Sequence, residues 1–466
     1  MVPTWRLRAA FARRLSAMYG AEVPAYTTLL DVTARINEET VHRDGHPGHL
    51  GGLDRVTAER HGAIRVGTPD ELRQAARIFA AFGMHPVGFY DLRDGPGAVP
   101  VVSTAFRPLD AEELERNPFR VFTSLLTPDD RRFFDEDLAR RLAAFLGHRT
   151  LFPPELLTLA ARAEEARGLP EADADRFLTL ATDAFALSAE PVDRAWYEEL
   201  SEVSAVAADI GGVTTTHLNH LTPRVLDIDA LYRRMTAHGI TMIDRIQGPP
   251  RWDGPDVLLR QTSFRALAEP RAFREIDGRV TDGTLRVRFG EVEARGIALT
   301  RTGRARYDAL TALTDRRTAE AGGTAADHAA TARAVWEAGF PRTERQLAAD
   351  GLAFFTYAPA PARPRDGRRP PDGLAALLDQ GWLTARPIVY EDFLPRSAAG
   401  IFRSNLTRDT TRTADRTAAP YDADRLAAAL DRPVHDPFAR YADRSLTTLR
   451  RARRALGLDP TPEESA

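Results

Sequence analysis

Two histidine–arginine pairs recur in this chain with the same spacing. Residues 61–66 read H-G-A-I-R-V and residues 220–225 read H-L-T-P-R-V. In an extended strand, residues two and four apart face the same way, so His61 would share a face with Arg65, and His220 with Arg224. Imidazole is a common metal ligand, and a guanidinium grips a carboxylate through two parallel hydrogen bonds. Each pair therefore sets a metal ligand beside a carboxylate clamp. A third segment, RVRFGEVEARGIALT at 286–300, carries Glu291, Glu293 and Arg295 on one face if it is a strand. Carboxylates inside an apolar strand are costly unless solvated, paired or bound to metal. Two histidines and one carboxylate, with three adjacent positions left open, are the ligand pattern of non-haem Fe(II) oxygenases. His217 and His220 both compete for the second histidine, and Glu291 and Glu293 for the carboxylate.

The elements that must position these side chains follow a repeated order. Each His-x-x-x-Arg-Val segment runs through an acidic residue into a helix, then a glycine, then a further strand. The first helix is DELRQAARIFAAFG, from Thr68 or Asp70 to about Phe82, stopped by Gly83. The second is DIDALYRRMTAHG, spanning about 228–238 and ended by Gly239. Capping residues, apolar spacing and terminal glycines all favour duplicated βα modules. Pro223 suits only an edge, a bulge or a strand end. Further strands are expected at 85–106, 214–222, 241–246, 256–264, 285–293 and 296–300. Residues 1–40, 110–200 and 303–350 read as helical, and 359–373 as a solvated Pro/Arg loop. The fold class is α+β. Five regions follow: 1–60 helical, 61–109 a first βα metal module, 110–205 a helical insertion, 206–302 a second metal module, and 303–466 a helical region completing the pocket.

Composition narrows the chemistry. The 466 residues include no cysteine, and all 63 residues counted as Lys+Arg are arginine. That excludes thiolate nucleophiles, zinc ribbons, Schiff bases and a P-loop lysine. The arginine bias itself is explained by GC-rich codon usage. Net charge is -3 and no apolar run approaches the length of a membrane span, so neither nucleic acid nor membrane is an expected partner. The N-terminal segment lacks a signal-peptide pattern, and a cytoplasmic location is expected by default.

The segments SAMYGAEVPAYTTLL, ERHGAIRVGT, STAFRPLD, RNPFRVFTSLL, HLNHLTPRVLDID, LLRQTSF, RFGEVEARGIALT and YEDFLPRSAAGIFRSNL span most of the chain. Through them the chain resembles the 2-oxoadipate dioxygenase/decarboxylases, a family related to the vicinal oxygen chelate superfamily. The resemblance implies βαβββ modules forming a metal-centred sheet, with large helical insertions, loaded with Fe(II). It implies a metal histidine at His61, which also contacts substrate, a second in HLNHLTPR, and a glutamate in FGEVEARG. The repeat alignment selects His220 over His217. The E-x-x-x-R spacing of related proteins selects Glu291, followed by Arg295, over Glu293. His217, Glu293, Gln261 and Ser263 then become candidates to support the ligands. Substrate contacts are implied at Arg65 and Arg396. At Arg396 the sequence departs from the family pattern, where valine is expected, and this bears on which oxo acid is preferred.

The reaction so implied converts 2-oxoadipate and O2 to 2-hydroxyglutarate and CO2, a step of lysine breakdown. A redox-neutral metal-dependent isomerase or lyase on the same scaffold, and a non-catalytic oxo-acid binder, are the alternatives. Oligomeric state is not legible. Glu59 and Arg60, flanking His61, read as solvated or structural. The Gly-rich loop with His42, His46 and His49 offers no rigid scaffold for a metal.

Overall fold

A computed structural model describes residues 1–44, 52–94, 97–286, 288–395, 401, 405 and 418–459. The first module is built from β1 (Arg60–Val66), α1 (Pro69–Ala81), β2 (His85–Asp91), β3 (Val101–Arg107) and β4 (Arg120–Leu126). Its strands lie in the order β2-β3-β4-β1, so the last strand returns beside the first. The second module repeats the plan with one strand fewer: β5 (His220–Pro223), α2 (Ile228–Ala237), β6 (Leu259–Phe264) and β7 (Gly290–Arg295). Here β7 pairs antiparallel with β6, bridges at Glu293 to Arg224 just past β5, and so again returns beside the first strand. Antiparallel pairing of β1 with β5 joins the modules, with His61 opposite Thr222 and Ala63 opposite His220.

Local chemistry explains the two helices. Thr68 caps α1, accepting from the Glu71 amide at 3.1 Å, while the Glu71 carboxylate accepts from the Thr68 amide at 3.2 Å. Asp227 caps α2 through the Ala230 amide at 2.8 Å. Both helices lead into a left-handed glycine, Gly83 with φ +70° and Gly239 with φ +76°, which frees the chain to turn back toward the sheet.

The sheet separates two apolar layers. Ile64 and Val66 of β1 face a core shared with Leu72, Ile78 and Phe79 of α1 and Leu7, Phe11 and Leu15 of the N-terminal helix. The alternate residues His61, Ala63 and Arg65 face the other way, toward a core containing Phe122, Tyr90 and Phe393. Period two thus assigns one face of β1 to packing and the other to chemistry.

Several expectations need correction. Residues 110–205, read as a helical insertion, include β4, the strand that completes the first module. The N-terminal helical stretch is two helices, Thr4–Glu22 and Pro24–Asp44. Segments 241–246 and 296–300 make only isolated bridges, at Met242, Ile297 and Leu299. A hairpin, Glu269–Arg274 with Val280–Leu285, is inserted between β6 and β7. The region beyond 303 carries a second hairpin, Phe355–Pro359 with Leu383–Pro387, which the Pro/Arg loop interrupts. Among the described residues no helix is long and apolar enough to cross a membrane.

Candidate metal centre

His61, His220 and Glu291 are the group of described residues arranged to hold a metal ion, with one ligand atom of each lying within 4.8 Å of the others. His61 Nε2 stands 3.8 Å from Glu291 Oε1, and His220 Nε2 3.5 Å from Glu291 Oε2. The two rings meet edge to face with centroids 5.4 Å apart. All three side chains are buried. Phe122, Phe289, Phe393 and Ile401 close the space around them, which holds about one water molecule.

Burial sets the electrostatics. It pulls both histidines below the usual imidazole range, His220 well below, and so keeps them neutral, as ligands must be. The Glu291 carboxyl is pushed well above its ordinary value, first by burial and then by the neighbouring Glu293 charge. A buried carboxylate in this position is stabilised by a cation, and two neutral imidazoles beside it complete a donor set suited to a divalent transition metal.

The supporting residues are ordered. His61 Nδ1 lies 2.9 Å from Glu293 Oε2, close but off the line of an ideal hydrogen bond. Glu293 is itself gripped by one edge of Arg295, through Nε and Nη2 at 2.7 and 3.0 Å, and Arg295 Nη1 also donates to the carbonyls of Tyr390 and Asp392. Despite burial, Arg295 and His61 hold the Glu293 carboxyl down at about 2. His220 Nδ1 sits 3.0 Å from Thr222 Oγ1. Gln261 donates to Glu291 Oε1. Ser263 does not reach the ligands: its hydroxyl accepts from Asn405 Nδ2 at 2.9 Å.

The remaining candidates separate. Arg65 is buried on the metal face of β1, beside Ser124 in register, whose hydroxyl is 2.8 Å from that of Ser103. Its Nη1 donates to Asp209. His217 lies outside the cluster, 3.3 Å from the same aspartate. Arg224 does not repeat the role of Arg65, because β5 ends at Pro223 and the guanidinium turns to Glu59 at 2.7 Å. Glu59 is not solvated: it is fully buried between Arg224, Arg120 and Arg295. Arg396, His46 and His49 lie outside the described residues, and His42 is exposed at the end of its helix. Sequence reasoning missed Asp209, Phe289 and Phe393. The phenylalanines sat inside quoted motifs but carry no polar signal, and Asp209 sits in the bland run VAADIGG.

A βαβββ module and a second copy with one strand fewer, closing on a buried His-His-Glu cluster, define the class, a vicinal-oxygen-chelate-type fold with a site able to hold a metal. A family model described as 2-oxoadipate dioxygenase/decarboxylase matches residues 11–405, and the chain belongs to that family of enzymes. Over 438 residues it is 57% identical to the 2-oxoadipate dioxygenase/decarboxylase of Mycobacterium tuberculosis, covering 94% of this chain and 96% of that one. The Pseudomonas putida relative of the same name is 41% identical over 465 residues, covering 97% of each chain. A crystal structure of the hydroxyglutarate synthase from Pseudomonas putida in complex with 2-oxoadipate superposes with a TM-score of 0.83 at 38% identity, covering 98% of this chain and 99% of that one.

Proposed function

We propose that this chain is an Fe(II) enzyme converting 2-oxoadipate and O2 to 2-hydroxyglutarate and CO2. One observation carries the reading: a buried cluster of two neutral histidines and a glutamate shares a strand face with Arg65, four residues along from His61. His61, His220 and Glu291 would hold the iron, which when bound supplies the redox chemistry with O2. The names of the relatives above support the substrate and the reaction class.

The chain's own residues supply geometry and dryness. Glu293 places the His61 proton on Nδ1 and leaves the Nε2 lone pair facing the site. Gln261 fixes one oxygen of Glu291. Arg65 binds the distal carboxylate of the substrate with a fork that lysine cannot reproduce. Phe122, Phe289, Phe393 and Ile401 exclude water around the reacting carbons. Arg396, where the family pattern carries valine, bears on the preference among oxo acids. Arg396→Val is expected to shift that preference while leaving the reaction type unchanged.

The test is aerobic incubation of the Fe(II)-loaded protein with a panel of 2-oxo acids, following O2, CO2 and product mass. The expected result is equal consumption of O2 and release of CO2 with 2-oxoadipate, and the mass of 2-hydroxyglutarate. Turnover without O2 uptake would instead favour a redox-neutral lyase or isomerase.

A further inference from the structure

Arg65 and His61 are four residues apart on β1, so their Cα atoms lie about 13 Å from each other. A dicarboxylic acid bound between the two would have to span the gap from the metal site to the guanidinium, so where the flexible Arg65 stem places that guanidinium decides which chain length is bridged. Something has to hold it, because an arginine stem has many rotamers and the binding of a rigid guanidinium costs less entropy than the binding of a loose one.

The structure supplies a holder. Asp209, on the short helix Ala205–Gly211, is buried and accepts from Arg65 Nη1. The same carboxylate accepts from Asn219 Nδ2 at 2.9 Å, and His217 Nε2 is 3.3 Å from its other oxygen. Asn219 is fixed in turn, since its amide N–H donates to the Ala63 carbonyl of β1 at 2.9 Å. Ala63 is also the residue opposite His220. Three nearby residues of the H-L-N-H motif thus divide the work: His217 and Asn219 secure Asp209, while His220 turns to the metal cluster. Burial opposes an ionised Asp209, but His217 and Arg65 overcome it and hold its carboxyl well below the ordinary range. A guanidinium carries five N–H donors in a planar fork, so its direction, set here through Nη1, governs which carboxylates it can meet.

We propose that Asp209, backed by His217 and Asn219, is a positioning residue that aims Arg65 and thereby sets the selectivity for 2-oxo acids bearing a distal carboxylate. This rests on the reading of Arg65 as the clamp for that carboxylate.

The experiment compares kcat/KM for 2-oxoadipate with kcat/KM for 2-oxohexanoate, its analogue lacking the distal carboxylate, in the Fe(II)-loaded protein. The ratio is unaffected by any inactive fraction, so a partly destabilised variant still reports. In Asp209→Asn the ratio should fall about tenfold, through KM for 2-oxoadipate, with kcat on 2-oxohexanoate within about twofold of wild type. In an Arg65→Met background, where the ratio has already collapsed, adding Asp209→Asn should change nothing further. A wild-type or raised ratio in Asp209→Asn, with Arg65→Met still collapsing it, overturns the positioning role alone. A ratio unchanged in Arg65→Met overturns the clamp reading and this proposal with it.

Discussion

The two modules begin alike and end differently. His61 and His220 both reach the same cluster, yet Arg65 and Arg224, each four residues on, part company. Strand length explains it. β1 runs seven residues and keeps Arg65 in the pleat on the face of His61. β5 runs four and ends at proline, and Arg224, just past it and bridged to Glu293 of β7, enters a buried ion-pair network with Glu59. That network extends through Arg120 and Arg295 to Glu293, and so to His61. Both copies bring their histidine to the candidate metal cluster, while one guanidinium lies on the site face and the other braces the wall behind it.

Substitutions can break this comparison, the most severe first. His61→Ala and His220→Ala should each abolish turnover, measured by O2 uptake, because neither module can replace the other's ligand. Arg65→Lys should lower kcat/KM for 2-oxoadipate by about a hundredfold with unchanged thermal stability. Arg224→Met should do the reverse, costing about 2–3 kcal/mol in urea unfolding, since it leaves part of the Glu59 charge unpaired. Equal effects of the two arginine variants on activity and stability would erase the distinction. Glu293→Gln should weaken metal affinity about tenfold to a hundredfold by loosening His61.

The smallest effects are pH-dependent. With its pKa raised, Glu291 keeps its proton to higher pH in the metal-free protein and must release it to bind a cation. Metal affinity should therefore climb with pH until that raised value is passed, with a proton released that is detectable in weak buffer. Glu293 works oppositely. Its folded value of about 2 lies below the ordinary 4.5, so its contribution to stability is present above 4.5 and lost as pH falls toward 2. Glu293→Gln should flatten that part of the acid-unfolding profile.

Much of the site was legible because it lies on strands. Period two put His61 and Arg65 on one face, and the second copy of the motif pointed to His220 rather than His217. What stayed hidden depended on long-range contacts. β4 was lost inside a region dominated by helices, although RVFTSLL is rich in strand-forming residues. Glu59 reads as solvated or structural, and the choice between the two rests on three arginines from distant segments that close over it. Asp209 has no local signature, because its meaning comes from a strand some 140 positions earlier in the chain, where Arg65 lies 144 residues away. The repeat misled in one place, since matching spacing at Arg224 implied a matching role that the short strand does not permit.

The central claim is that one metal is held by His61, His220 and Glu291. Metal content after anaerobic Fe(II) reconstitution and gel filtration tests it directly, in wild type and in His61→Ala, His220→Ala, Glu291→Ala and His217→Ala. About one iron per chain is predicted for wild type and His217→Ala, with iron lost from the other three. Full iron in His220→Ala together with its loss from His217→Ala would contradict the account.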